Sequence, residues 1–167
     1  MYPADYWIKK LGLVSHPEGG AYRRFYASGI RIPQEQLPGT FHGSRTSCTA
    51  IYFLLEQGQF SAIHRIASDE IWHFYYGDPL VVYEIDLQGR VTEHLLGNEP
   101  DNKEAFHCVV KAGHWFGARL KEGSRYALVG CTVSPGFDFE DFELGSREAL
   151  LRQYPDQKEL IVTLTLP

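Results

Sequence analysis

The chain has 167 residues, of which 44% are hydrophobic and 22% charged, and a net charge of −5 at neutral pH. This length fits one compact domain with a substantial core and leaves little room for a second, so residues 1–167 are predicted to form a single domain. The basic residues are scattered and form no run, which argues against nucleic acid and against an anionic membrane as partners. A small-molecule ligand is expected.

The opening residues, MYPADYWIKKLGL, lack the long apolar run of a signal peptide, and no apolar stretch of the sequence is long enough to cross a bilayer. A soluble, cytoplasmic protein is therefore expected. The cysteines are odd in number, widely spaced and set in apolar surroundings, which favours reduced core thiols at Cys48, Cys108 and Cys131.

In chain order, residues 3–11 predict a short amphipathic helix closed by Gly12. Short apolar runs rich in β-branched and aromatic residues follow, separated by Gly, Pro, Asp and Asn. Many strands at this spacing predict an all-β sandwich or barrel whose inner face is lined by alternate residues of each strand. The predicted strands are residues 21–27, 49–56, 60–66, 70–76, 80–86, 91–96, 105–110, 115–120 and 125–133.

The connections between these strands carry their own signals. Residues 28–47, with two prolines and three glycines, predict a long irregular loop, which is either a binding loop or a surface excursion. Turn residues at 77–79 and 86–90 predict an antiparallel meander. In residues 137–143 phenylalanines alternate with acidic residues, which predicts an edge strand with a solvated acidic face. Ser146 predicts a helix cap, and the spacing in 156–165 favours a helix over a strand.

One stretch, GQFSAIHRIASDEIWHFYYG at residues 58–77, combines a histidine and a glutamate among aromatic residues. The period of two places His64 and Glu70 on faces that meet if both look inward from adjacent antiparallel strands. Such a pair can bind a metal or shift the proton affinity of each partner. A histidine that a glutamate holds in place for purely structural reasons would give the same pattern.

The spacing of Gly58, His64, Glu70 and Gly77 resembles the first motif of the cupin superfamily, with Ile66 where that motif has a second histidine. The segment VKAGHWF at residues 110–116 resembles the second cupin motif, with Phe116 where a further histidine would stand. HPEGGAYRRFYAS, TAIYFLLEQGQFSAIHR, SDEIWHFYYGDPL and VGCTVSPGFDFEDFEL together resemble a subfamily described as cupin 5-like, of unknown function. The resemblance implies a double-stranded β-helix, the jelly roll, with short terminal helices.

Cupins commonly hold a metal at these motif positions, but here two of the four ligand positions are apolar, and two ligands hold a metal poorly. No metal or cofactor is therefore expected unless His73 or His42 completes the set. The pocket instead resembles the metal-free sugar-nucleotide epimerase branch of the fold. This resemblance implies His64 as a general base, Glu70 as its orienting partner and Tyr126 or Tyr26 as a proton donor.

Further ligand contacts are expected from Arg23, which could neutralise a phosphate or carboxylate, and from four more side chains: Trp72, His73, Phe74 and Phe116. Packing alone also accounts for the tyrosines and the other aromatic residues. Three functions remain open: a metal-independent isomerase or epimerase of a nucleotide-sugar-like or carbonyl compound, a ligand-binding protein without catalysis, and a metal-dependent oxygenase or isomerase. A homodimer is expected, because cupin-like rolls commonly pair through their sheets.

Overall fold

The computed structural model describes residues 2–167 and consists mainly of β-strands. Its helices are α1 (Ala4–Leu11), α2 (Arg147–Gln153) and α3 (Lys158–Thr163). Its strands are β1 (Val14–Ser15), β2 (Ala21–Ala27), β3 (Arg31–Ile32), β4 (Arg45–Thr46), β5 (Thr49–Glu56), β6 (Phe60–Arg65), β7 (Asp69–Gly77), β8 (Leu80–Ile85), β9 (Val91–Leu96), β10 (His107–Val110), β11 (Trp115–Leu120), β12 (Tyr126–Ser134) and β13 (Glu143–Leu144).

Two large sheets face each other and form a jelly roll. The first has the strand order β1-β2-β5-β12-β7-β10, and the second has the order β13-β6-β11-β8-β9. All strand pairs within them are antiparallel. The main hydrophobic core lies between the inner faces, where Phe53, Leu55, Trp72 and Val129 of the first sheet meet Leu80 of the second.

The helices cover the outer faces of the sheets. Trp7, Ile8 and Leu11 of α1 pack against Leu54 and Leu128, which point outward from the first sheet. The helices α2 and α3 cover the second sheet through a cluster that includes Leu150, Ile161 and Leu164 of the C-terminal region and Ile63, Tyr83 and Trp115 of the sheet. Within the described residues, no helix has the length and apolar character needed to span a membrane.

The predicted all-β fold is confirmed, and each predicted strand is present with ends shifted by no more than two residues. The predicted helix near the C terminus is α3, and Gly12 closes α1 in the left-handed conformation with φ of 62°. The loop at 28–47 contains the small β3–β4 hairpin. The cysteines are free, as predicted, and Cys108 and Cys131 lie in the core, whereas Cys48 is only partly buried, so the prediction of a core position is wrong for Cys48.

Two predictions about local arrangement are wrong. The strands β6 and β7 are not paired neighbours, because they belong to opposite sheets, and the meander is reduced to the β8–β9 hairpin. Residues 137–143 are not an edge strand: Phe139–Asp141 form a 3-10 turn, and only Glu143–Leu144 pair with β6. The sequence alternation in this segment is broken because Asp141 turns inward to a buried arginine, Arg45.

Candidate functional site

A small cavity of about 50 Å³ lies between the two sheets at one end of the roll. His64 of β6 and Glu70 of β7 both line it, from opposite sheets, and are only 3% and 7% exposed. The side chains around it combine acids and histidines with apolar groups: His16, Glu18, Tyr22, Thr49, Ile51, His64, Glu70, Cys131, Val133 and Phe137.

The imidazole of His64 has a fixed orientation and tautomer. Its Nδ1 lies 2.7 Å from the carbonyl oxygen of Ala62, and because a carbonyl only accepts, Nδ1 carries the proton and donates it. The ring is enclosed by the rings of Phe116 and Phe142, with centroids 4.1 and 5.2 Å away. The remaining nitrogen, Nε2, lies 3.0 Å from Oε2 of Glu18.

Glu18 is a cavity side chain that the sequence analysis did not predict. It is 6% exposed and comes from the short connection between β1 and β2. The amide N–H of Ala62 donates to the Glu18 carbonyl oxygen at 2.7 Å, which places this connection beside the strand that carries His64. The sequence signals near it were the Gly-Gly pair that directly follows the glutamate and the resemblance of the HPEGG segment to the cupin 5-like subfamily.

Those two glycines are required by the backbone. Gly19 and Gly20 have φ values of 109° and 72°, a region that other residues rarely adopt. A Cβ at Gly19 would lie 2.1 Å from the carbonyl oxygen of Phe60, and one at Gly20 would lie 2.7 Å from that of Leu54. The tight turn and its close approach to the sheet therefore depend on glycine and deliver the Glu18 carboxyl to the cavity.

His16, which lies on the same β1–β2 connection as Glu18, also lines the cavity. Its Nδ1 accepts the N–H of Glu18 at 3.2 Å and lies 3.7 Å from Oε2 of Glu18. Burial, together with the nearby His64, lowers the pKa of His16 to about 4. His16 is therefore neutral at pH 7, with its proton on Nε2.

Burial also shifts the pKa values of the two carboxyl groups, but raises them. It raises the pKa of Glu18 to about 8, against a lowering effect of the Ser61 hydroxyl. It raises the pKa of Glu70 to about 7, an increase that His64 opposes and Glu18 reinforces. For His64, burial lowers the pKa and the carboxylate of Glu70 opposes that change. At pH 7 the cavity thus holds a protonated carboxyl at Glu18, a neutral imidazole at His64 and a carboxyl at Glu70 that is close to its midpoint.

The predicted aromatic contacts lie in the core around this cavity. Trp72 and Phe74 belong to the main core beside it, and neither lines the cavity wall. Phe116 is 1% exposed and packs on the His64 ring. Phe116 therefore places an apolar ring at the position where the second cupin motif has a histidine.

The other predicted residues lie away from the cavity. Tyr126 belongs to the cluster under α1, and its hydroxyl donates to the carbonyl oxygen of Tyr2, so the structure does not bring it to His64. Tyr26 is 48% exposed on β2. His73 lies on the opposite face of β7 from Glu70, with Nε2 3.0 Å from the Thr132 hydroxyl. Arg23 donates to the Leu11 carbonyl oxygen at 2.9 Å.

The sequence profile of the Cupin_5 family, described as "Cupin superfamily (DUF985)", matches residues 5–145. The chain belongs to this cupin family. The match covers both cupin motifs and the HPEGG segment that carries Glu18.

Solved structures agree with the assignment to the cupin family. A Shewanella oneidensis protein is 41% identical, with a TM-score of 0.89, over 100% of this chain and 99% of that one. A hypothetical protein from Leishmania major is 32% identical, with a TM-score of 0.90, over 99% of this chain and 100% of that one. Oxalate decarboxylase from Bacillus subtilis is 17% identical, with a TM-score of 0.54, over 90% of this chain and 36% of that one, and shows a shared fold only. No curated protein matches the chain.

The donor set of this cupin does not fit a metal ion. Ile66 and Phe116 replace two of the four motif ligands, and both are buried in the core. His42 is exposed, and His73 faces outward, so neither completes the set. Among residues 2–167, no three His, Cys, Asp or Glu side chains are arranged to hold a metal. Zinc or iron would need at least three such ligands.

Proposed function

We propose that this cupin catalyses metal-independent proton transfer at the carbon next to a carbonyl group of a small compound, as an isomerase or epimerase. The observation that carries the proposal is the contact between Glu18 and His64, 3.0 Å apart in a cavity that Glu70 also lines. A protonated carboxyl and a neutral imidazole in one enclosed site are an acid and a base ready to act together.

In the proposed reaction His64 is the base. Its Nε2 accepts a proton from the carbon next to the carbonyl, and the imidazolium that forms is stabilised by the Glu70 carboxylate, whose charge already favours the protonated form of His64. Glu18 donates its proton to the carbonyl oxygen, which gives a neutral enol and a Glu18 carboxylate. Where the carbon that lost its proton carries a hydroxyl, the enol is an enediol. His64 then returns its proton to the former carbonyl carbon, and that hydroxyl gives its proton to Glu18, which completes an isomerisation and regenerates both groups. In this scheme Glu18 takes the proton-donor role expected of Tyr126.

Ligand binding without conversion is the second candidate. The apolar residues Ile66 and Phe116, together with the phenylalanine rings around His64, favour a site that encloses a ligand. This candidate predicts that a ligand stabilises the protein while none of its carbon-bound protons exchanges.

The test is solvent exchange measured by NMR. Purified protein is incubated in deuterium oxide with small aldoses, ketoses and keto acids, and loss of the signal of the proton next to the carbonyl is followed. We expect exchange with the wild-type protein and a decrease of about 10²- to 10⁴-fold with His64→Gln, because positioned general bases contribute acceleration of that size. Glu18→Gln should reduce exchange as well.

A matched control is His94→Gln. His94 also contacts a carboxylate, Glu84, at 2.9 Å, but it lies outside the cavity, so its substitution should leave exchange unchanged. Exchange that is equally fast with His64→Gln would refute the proposed base. A ligand that raises the thermal midpoint of the wild type but not of His64→Gln, with no exchange of its protons, would support binding alone.

A further inference from the structure

A groove of about 500 Å³ adjoins the inner cavity on its outer side. The two spaces share four side chains in their walls: Tyr22, Thr49, Ile51 and Phe137. These residues therefore form the boundary between the inner cavity and the outer groove. A ligand that reaches His64 by this route passes them.

The size of the inner compartment limits what can enter it. One water molecule needs about 10–15 Å³ of cavity volume, so the roughly 50 Å³ beside Glu18 and His64 holds a group of only a few heavy atoms. The remainder of any larger ligand must lie in the outer groove.

Among the residues that the structure describes, the outer groove contains one arginine without a partner, Arg24. Arg24 is on β2, two residues beyond Tyr22 and opposite Ile51, so it belongs to the inward-facing row that leads to the cavity. Within the part of the chain that the structure describes, Arg24 is exposed and makes no hydrogen bond or ion pair. Its neighbour Arg23 is already bonded to Leu11. The one acid of the groove, Asp138, accepts the N–H of Glu140.

We infer that Arg24 binds a carboxylate or phosphate group of the ligand in the outer groove, while the carbonyl end of the same molecule enters the inner cavity. The assignment of the carbonyl end rests on the proposed function, whereas the anionic end rests on Arg24 alone. The guanidinium group suits both anions, because its paired N–H donors match their oxygens in a bidentate contact. The substrate class is then a short carbonyl compound that carries an anionic group at its other end.

Isothermal titration calorimetry with three probes tests the inference. The probes are dihydroxyacetone phosphate, 2-oxoglutarate and uncharged dihydroxyacetone. We expect at least one anionic probe to bind the wild type more tightly than dihydroxyacetone, and to lose roughly tenfold in affinity with Arg24→Gln, as expected for a charge-assisted contact in a partly open groove. Binding should weaken with added salt. The preferred anionic probe distinguishes a phosphate from a carboxylate.

Arg152→Gln is the control, since Arg152 is a highly exposed arginine on α2, away from the groove, and its loss should leave affinity unchanged. The inference is overturned if neither anionic probe binds more tightly than dihydroxyacetone, or if Arg24→Gln binds as the wild type does. Failure of the proposed function gives a different result: binding that depends on Arg24 persists, and no proton next to the carbonyl exchanges. Exchange of dihydroxyacetone phosphate protons with equal rates in wild type and Arg24→Gln would support the function and count against the anionic end.

Discussion

At the scale of single residues, burial keeps the protons of the cavity on its acids. A carboxylate without solvent is costly, so Glu18 and Glu70 retain protons at a pH where an exposed glutamate has lost them. The same cost keeps His16 and His64 neutral. The cavity therefore holds few charges at pH 7 although two glutamates and two histidines line it.

This arrangement predicts that stability falls as the pH rises. Glu18 titrates near 4.5 when unfolded and at about 8 when folded, so its contribution is full below 4.5 and is lost as the pH rises through 8. Below pH 6.5 the lowered pKa of His16 has the opposite effect, because it makes the stability rise with pH. The fall caused by Glu18 is therefore expected between about pH 6.5 and 8. At ~1.4 kcal/mol per pKa unit, the free energy of unfolding should fall by about 2 kcal/mol across this window.

Urea denaturation at pH 6.5, 7.25 and 8 measures this fall. Glu18→Gln removes the titrating group but keeps the shape of the side chain, so its free energy of unfolding should depend less on pH than that of the wild type. Equal pH dependence in the two proteins would show that Glu18 is already ionised at pH 6.5.

The sequence predicted half of this site. Alternation along β6 and β7 was enough to point His64 and Glu70 inward, because a strand turns every second side chain to the same face. Glu18 could not be placed in this way, since its position depends on a loop whose path is set by the contact with Ala62, far along the chain. Long-range contacts of a loop leave no periodic signal.

At the scale of elements, residues 137–142 close the site from outside. Phe142 stacks on His64 with ring planes 29° apart, and Phe139 stacks on His16 with planes 27° apart. The segment is held by Arg45, whose Nε and Nη2 donate to the two oxygens of Asp141 at 2.6 and 2.7 Å. Both side chains are buried, at 3% and 4% exposure.

Asp141→Asn should therefore destabilise the protein strongly. It leaves the buried Arg45 charge with the exposed Glu140 as its remaining ion-pair partner among the described residues, and breaking a buried ion pair costs about 3 kcal/mol or more. Glu143→Gln is the matched control, because the Arg65–Glu143 pair of the same region is solvent-exposed and should contribute less than about 1 kcal/mol. The free energy of unfolding in urea distinguishes them. Equal losses in the two variants would mean that Arg45 does not anchor the segment.

This segment also shows why an element can be misread from its sequence. The alternation of Phe137 and Phe139 with acidic residues satisfies the pattern of an edge strand. Only the position of Arg45, brought near by the β3–β4 hairpin, determines that Asp141 points inward. The core strands were predicted accurately because their hydrophobic burial is encoded locally, whereas an ion pair between residues so distant in sequence is not.

At the scale of the whole molecule, one face of the first sheet is left partly uncovered. Helix α1 covers one end of it, and the other end carries a row of rings in which Phe25 contacts Tyr52 and Tyr52 contacts Tyr75, at centroid distances of 4.5 and 6.0 Å. Tyr75 lies over Gly130, where a Cβ would be 2.3 Å from its hydroxyl oxygen. Phe25 and Tyr75 are 47% and 46% exposed. Aromatic residues gathered in this way are typical of protein interfaces.

We expect a second copy of the chain on this face, because a two-fold pairing brings the same aromatic row to both sides of the interface and also protects the part of β2 that extends beyond its short pairing with β1. Light scattering of the wild type should then give the mass of two chains. Tyr75→Glu should give one, since the dimer would have to bury a carboxylate without a partner twice over. Leu87→Glu adds the same charge at an apolar side chain that is 66% exposed on the β8–β9 turn, and it should remain a dimer. A wild type with the mass of one chain would mean that the aromatic row faces solvent.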